Sequence, residues 1–199
     1  MIKNNNSDML LKKYCIDYKK IFGFWLYLMS DCIIFATLFS VYIVMLNNTI
    51  YGPFVKDFLK LPLVFIETLI LLFSSVSYGV VLIFSIKKNN KIVYIFLLIT
   101  FLLGFLFCFL ELYEFYELIL NNFSPKKNGF LSSFFVLIGT HGLHVFSGLI
   151  WIIVMFYQIL KFGLKKVVID RLFCLGLFWH FLDIIWIFIF TFVYLFGAL

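Results

Sequence analysis

Residues 92–110 read IVYIFLLITFLLGFLFCFL, nineteen positions in a row without a charged side chain. A helix packed in a soluble core is apolar along one stripe, whereas one apolar all round needs lipid or other helices on every face. At ~1.5 Å per residue such a helix is about 29 Å long, the thickness of a bilayer's hydrocarbon core. Working outward, the run extends over 92–117, and four more lie at about 22–46, 62–86, 130–160 and 172–197. The fourth is longer than a span requires, so it is expected to tilt or to project beyond the bilayer. None shows the alternating ten-residue pattern of a membrane β-barrel. The fold class is therefore all-α: a polytopic membrane protein with a bundle of five transmembrane helices in one domain, 22–199, behind a polar N-terminal tail, 1–21.

Composition agrees, with 64% hydrophobic and 13% charged residues in 199, far from a soluble balance. The bias toward Phe, Ile, Leu, Tyr, Lys and Asn resembles an AT-rich codon preference, so the 29 Phe carry little functional weight. No cleavable signal is read: the first apolar run follows a polar tail, exceeds a signal's hydrophobic region and lacks a small-residue cleavage site. It is expected to stay as the first span. Cys15, Cys32, Cys108 and Cys174 have no metal-binding spacing and read as small apolar residues.

Lysine and arginine accumulate on the cytoplasmic side of membrane proteins. With five spans, the tail, the turn at 87–91 and the loop at 161–171 share one side and carry twelve of the 16 basic residues. Lys56, Lys60, Lys126 and Lys127 lie on the other side. The N-terminus is therefore expected inside and the C-terminus outside. The net charge of +6 follows from this asymmetry and from attraction to anionic lipid, and gives no support to nucleic-acid binding. The short turn Lys87–Lys91 makes spans two and three an antiparallel hairpin. Gly52-Pro53 and Ser124-Pro125 punctuate the other two loops.

The spans hold what a bilayer disfavours: Asp31, Glu67, Glu111, Glu114, Glu117, Asp183, and all three histidines, His141, His144 and His180. Ionisable groups at such depth face the bundle interior and mark function by default. No Lys or Arg shares a span with them, so histidines, hydroxyls, lipid headgroups, other subunits or a bound proton must compensate. Glu111 with Glu114, His141 with His144, and His180 with Asp183 are each three apart and share a helix face. Gly176, His180, Asp183 and Ile187 form one stripe on span five. Gly139, Gly142 and Gly148 make span four small-sided, and Ser75 with Gly79 does the same for span two, both suited to close helix approach. Depth places Glu67 and Glu111 near one end of the bundle. It places Asp31 and His180 at a common level about 12–14 Å from the opposite end. Residue chemistry leaves three readings open: haem or metal ligation by the histidines, a proton or ion path through the acids, and polar groups that lock helices and bind lipid.

Three segments carry a resemblance. Span four contains Gly129-Phe130-Leu131-Ser132-Ser133-Phe134-Phe135, then Gly139-Thr140-His141-Gly142-Leu143-His144-Val145 and Gly148. Span five contains Trp179-His180-Phe181-Leu182-Asp183-Ile184-Ile185-Trp186. Span one contains Phe22-Gly23-Phe24-Trp25 and Met29-Ser30-Asp31. In this order, from about residue 20 onward, they resemble subunit III of the haem–copper oxidases. Asp31 stands where the longer cytochrome c oxidase forms carry Glu, and Glu111–Glu114 resembles the acidic segment ending the family's middle helix. Leu61-Pro62 through Glu67-Thr68, Ser74-Ser75 and the five-span length look most like the bo-type ubiquinol oxidases of bacteria.

The resemblance implies a supporting subunit of a respiratory complex in the bacterial inner membrane. Haem and copper are then expected in subunit I, with no catalytic, cofactor-binding or metal residue in this chain. Its partners would be subunit I directly, subunits II and IV, and membrane lipid. The complex oxidises ubiquinol, reduces dioxygen to water and pumps protons. The third subunit steadies subunit I, holds lipid in a cleft between its first two and last three helices, and eases oxygen entry. Asp31, Glu67, Glu111, Glu114, His141, His144, His180 and Asp183 become structural, lipid-related or proton-related groups. Two alternatives stay open: the same subunit of a cytochrome c oxidase, and an independent proton-coupled transporter using Asp31, Glu67 and Asp183. Against the transporter, the sequence has no inverted repeat and no pair of Gly/Pro-broken helices.

Overall fold

The computed structural model describes residues 18–47, 61–121, 123, 125 and 128–195. It holds five helices: α1 Tyr18–Asn47, α2 Leu61–Ile86, α3 Asn90–Leu120, α4 Gly129–Phe162 and α5 Lys166–Ile189. The last continues as π-helical turns over Phe190–Leu195. No strand occurs among the described residues. All five helices are long and apolar enough to cross a membrane. Cys15, Gly52-Pro53, Ser124, Lys56, Lys60, Lys126, Lys127 and most of the N-terminal tail lie outside the described residues.

Apolar runs mark the hydrocarbon zone, whereas helices continue into the interface. The sequence expects a loop over 161–171, yet α4 runs to Phe162 and α5 starts at Lys166, leaving only Gly163–Lys165 between them. The last turn of α4 and the first turns of α5 tolerate Lys161, Lys166 and Arg171 because their long stems lie along apolar surface while the charges reach water. Arg171 also donates a 2.8 Å hydrogen bond to Gln158 on α4. Gly163 ends α4 at φ 66°, its N–H donating to Ile159 at 2.9 Å. The α2–α3 turn is equally tight, with Lys88 left-handed at φ 56°.

Contacts fix the helix directions. Thr68, Ser74 and Tyr78 on α2 meet Trp186, Trp179 and Leu172 on α5, so these two helices are antiparallel. Phe24 and Tyr42 on α1 meet Trp151 and Phe130, so α1 is antiparallel to α4. Phe107 and Glu114 on α3 meet Trp186 and Tyr194, so α3 and α5 are parallel. One end of the bundle thus gathers Lys20, Lys87, Lys88, Lys91, Lys161, Lys165, Lys166 and Arg171.

The fifth helix is the core. Of its most apolar stretch 56% is buried, against 22–33% in the other four. Trp179, Trp186, Leu172, Leu175 and Ile189 are almost wholly enclosed. The outer faces carry Val76, Leu143 and Leu160 at 68–72% exposure, a surface that only lipid or another membrane subunit covers without penalty. The implied division of the first two helices from the last three is not the arrangement found. Helix α1 packs on α4 and α5, while α2 packs on α3 and α5, because the WHFxDxxW face of α5 draws α2 to it.

Candidate functional site

The Trp179–Trp186 segment joins α5 to a column of hydroxyls on α2. Trp179 Nε1 donates to Ser74 Oγ, and Trp186 Nε1 to Thr68 Oγ1, each at 3.1 Å. Ser74 and Thr68 pass their own protons to the carbonyls of Leu71 and Val64 at 2.7 and 2.9 Å, so both indole N–H groups and both hydroxyls have a partner. Tyr78 donates to the Leu172 carbonyl at 2.9 Å. Ser77 and Thr100 bond at 2.7 Å, tying α2 to α3. In hydrocarbon each such contact contributes about 0.6–2 kcal/mol. Antiparallel register sets the hydroxyls at 68, 74 and 75 opposite Trp186, Trp179 and His180.

Glycines accommodate side chains here, where the sequence predicts close backbone approach. A Cβ on Gly104 would lie 2.7 Å from the Trp179 ring, and one on Gly148 3.1 Å from it, so the indole is clamped between α3 and α4. A Cβ on Gly176 would lie 2.9 Å from Tyr78. Gly79 has nothing within 4 Å, so this glycine of the Ser75–Gly79 pair makes no close helix approach. The stripe on α5 holds over Gly176 and His180, which face α2, but Ile187 is exposed.

Each histidine has a distinct partner. His141 is fully buried between Phe107 and Trp186, and its Nε2 lies 3.3 Å from the Leu182 carbonyl, where only a donor fits. His144 donates from Nδ1 to the Thr140 carbonyl at 2.8 Å, which turns Nε2 toward Asp31 Oδ2 at 4.0 Å. His180 Nδ1 bonds Ser75 Oγ at 2.8 Å and lies 3.8 Å from Asp183 Oδ2. Ser75, His180 and Asp183 do not form a nucleophilic relay, because one imidazole nitrogen serves both neighbours. Asp31 is buried, as expected, but beside His144, not the His180 that depth alone suggests. Depth matches level and not direction, and the Asp31 face of α1 points at α4.

Glu67, Glu111 and Glu114 form the third group. They come from α2 and α3, are 0–7% exposed, and lie within electrostatic reach of one another. Tyr194, carried on the π-helical turns, donates to Glu114 Oε2 at 3.1 Å. Sequence reasoning missed this tyrosine, since nothing local marks a π-helical ending. Both Glu67 oxygens, Glu111 Oε1, Glu114 Oε1, Asp31 Oδ2 and both Asp183 oxygens are buried without a hydrogen bond among the described residues. A Cβ on Gly142 would sit 2.7 Å from both Glu111 oxygens, so this glycine of the HGLHV motif makes room for a carboxyl. Beside it a groove of about 180 Å³ opens between α3 and α4. No three His, Cys, Asp or Glu side chains among the described residues converge as metal ligands.

Comparison with known proteins bears on this arrangement. The chain matches the family described as cytochrome c oxidase subunit III over residues 13–198. It is 57% identical to a cytochrome bo(3) ubiquinol oxidase subunit 3 of Buchnera aphidicola subsp. Baizongia pistaciae, over 94% of this chain and 98% of that one. It is 50% identical to the protein of that name in Pseudomonas aeruginosa, over 90% and 86% of the two chains. A probable quinol oxidase subunit 3 of Staphylococcus aureus is 39% identical over 88% of each. With five spans and the motif residues on the α2–α5 seam and the α3–α4 contact, the chain belongs to the subunit III family of the haem–copper oxidases.

Proposed function

We propose that the chain is the non-redox third subunit of a proton-pumping, bo-type ubiquinol oxidase in a bacterial inner membrane. The observation that carries this reading is identity of 50–57% to proteins named bo(3) ubiquinol oxidase subunit 3, over nine-tenths or more of the chain. In this reading subunit I lies directly against it and holds the haems and copper, and subunits II and IV complete the assembly. The tail 1–21 and the basic end of the bundle face the cytoplasm. The C-terminus faces outward.

The polar groups then act as structural fasteners. Trp179, Trp186, His180 and Ser75 hold α2 to α5, and Asp31 with His144 holds α1 to α4. His141 supports this role over haem ligation, because its Nε2 is spent on the Leu182 carbonyl and its ring is packed between Phe107 and Trp186. The family description favours one second reading, the same subunit in a cytochrome c oxidase. The two separate by electron donor. The complex purified through a tag on this chain is expected to consume oxygen with ubiquinol and not with reduced cytochrome c. Activity with cytochrome c alone would replace the proposal by the second reading.

A further inference from the structure

Glu67, Glu111 and Glu114 take no part in the α2–α5 seam or in the Asp31–His144 contact. They are 0, 3 and 7% exposed, and both Glu67 oxygens, Glu111 Oε1 and Glu114 Oε1 have no hydrogen bond among the described residues. Glu67 is fully enclosed, comes from a different helix, and lies within electrostatic reach of the other two. Tyr194 reaches all three acids and donates to Glu114 Oε2 at 3.1 Å.

Three negative charges have no counter-charge here. No Lys or Arg occurs among the described residues at that end of the bundle. His141 on α4 has its Nε2 on the Leu182 carbonyl, and its Nδ1 meets no described partner, so the ring gives the acids no donor. Cys108 and Glu117, in reach of Glu111 and Glu114, add no positive charge. Carboxylates are acceptors only, so three of them cannot satisfy one another, and like charges that share a buried site cannot all stay ionised. Protons remove both faults together, since each cancels a charge and gives an unpartnered oxygen an O–H donor. The Tyr194 hydroxyl singles out Glu114 for the charge that remains, because a hydrogen bond to a carboxylate is the stronger kind.

We propose that Glu67, Glu111 and Glu114 form a buried proton-binding site, with the protons on Glu67 and Glu111 and the charge on Glu114, in exchange with water at the end of the bundle opposite the basic one. Gly142 leaves room for the Glu111 carboxyl within this site. Helix α3 supplies the route. Its 31 residues make about 46 Å at ~1.5 Å each, so about 8 Å stands beyond a ~30 Å hydrocarbon core at either end. Counted back from Leu120, Glu111 is about 13 Å in, Glu114 about 9 Å and Glu117 about 4 Å. They lie inside the core, at its boundary and in the interface, each three residues from the next and within side-chain reach of it. A proton leaving Glu111 passes to the Glu114 carboxylate, then to Glu117 and to water. Each donor is left as the carboxylate that takes up the next proton.

The test is the infrared spectrum of the complex recovered through a tag on this chain. Protonated carboxyls absorb in a carbonyl band separate from that of carboxylates, and the band shifts in D2O. At neutral pH, Glu67→Gln and Glu111→Gln are each expected to lose part of that band, and Glu114→Gln none of it. Gln is a neutral isostere of protonated Glu, so both variants should also stay in the complex on heating as the wild type does. Glu117→Gln should slow the shift of the band in D2O about tenfold. A band unchanged in either Glu67→Gln or Glu111→Gln would show that acid ionised and overturn the proposal. So would loss of either variant from the complex, since Gln replaces a protonated acid without removing a charge. Exchange as fast in Glu117→Gln as in the wild type would overturn the route.

Discussion

The glycine at 142 and its neighbour at 139 differ by one helical turn and by what they face. An added methyl at 142 would meet the Glu111 carboxyl at 2.7 Å, and at 139 only a ring at 3.9 Å. Gly142→Ala is therefore expected to destabilise the subunit by about 1–3 kcal/mol through overpacking, and Gly139→Ala to be near neutral. Loss of the subunit from the complex during heating in detergent reads the difference. Equal behaviour of the two variants would contradict the packing. Asp31 gives a second test. Asp31→Asn keeps shape and hydrogen-bonding capacity and should be mild, whereas Asp31→Leu leaves any polar partner unpaired, at about 1–3 kcal/mol. A double-mutant cycle should couple Asp31 to His144 and not to His180. Coupling to His180 would return the pairing that depth alone suggests. Initial turnover should survive in Asp31→Asn; its loss with the subunit still bound would make Asp31 a proton carrier.

At the scale of the element, hydropathy set the number, order and class of the helices and missed their ends. Helix α5 begins six residues before its apolar run because Lys166 and Arg171 sit in the interface, where apolarity is not required. The seam was half legible. Trp179, His180, Asp183 and Trp186 stood out in the sequence, but their α2 partners Thr68, Ser74 and Ser75 are ordinary residues that only antiparallel register selects. Glu67 and Glu111 were legible as a shared depth and Glu114 as a neighbour on the Glu111 face, while Tyr194 was not, because it reaches Glu114 only through the wider π-helical turns. The α4–α5 turn carries its own prediction. Gly163 has φ 66° and ψ −173°, a conformation almost exclusive to glycine, with open space where a Cβ would lie. Gly163→Ala should therefore cost about 1–3 kcal/mol through backbone strain alone. Gly163→Asn should be as costly, because no side-chain contact can offset the strain. A thermally neutral Gly163→Ala would show that the turn has another shape.

For the whole molecule, one helix organises the rest. The buried face of α5 receives the hydroxyls of α2, the aromatic rings of α1 and α3, and the His141 side of α4. The surfaces left exposed are apolar, and the basic groups among the described residues are collected at one end. That asymmetry predicts a cytoplasmic N-terminus: reporters fused after Leu199 should behave as exported and those after Lys88 as cytoplasmic. The opposite pattern would invert the bundle. Among the described residues no pair of broken helices builds a transport path, and the acids singled out in the sequence sit in separate groups, Asp31 with His144, Asp183 with His180, and Glu67 with Glu111 and Glu114. On the proposed function the chain is a scaffold, and the activity lies in its partners. The direct test is to purify it through a C-terminal tag in mild detergent and identify the co-purifying chains and the carrier of the haem. The account predicts recovery with larger oxidase subunits in fixed ratio, all haem and copper on those subunits, and ubiquinol-dependent oxygen consumption by the assembly. Recovery of the chain alone, catalysing proton-linked solute uptake in liposomes, would contradict it.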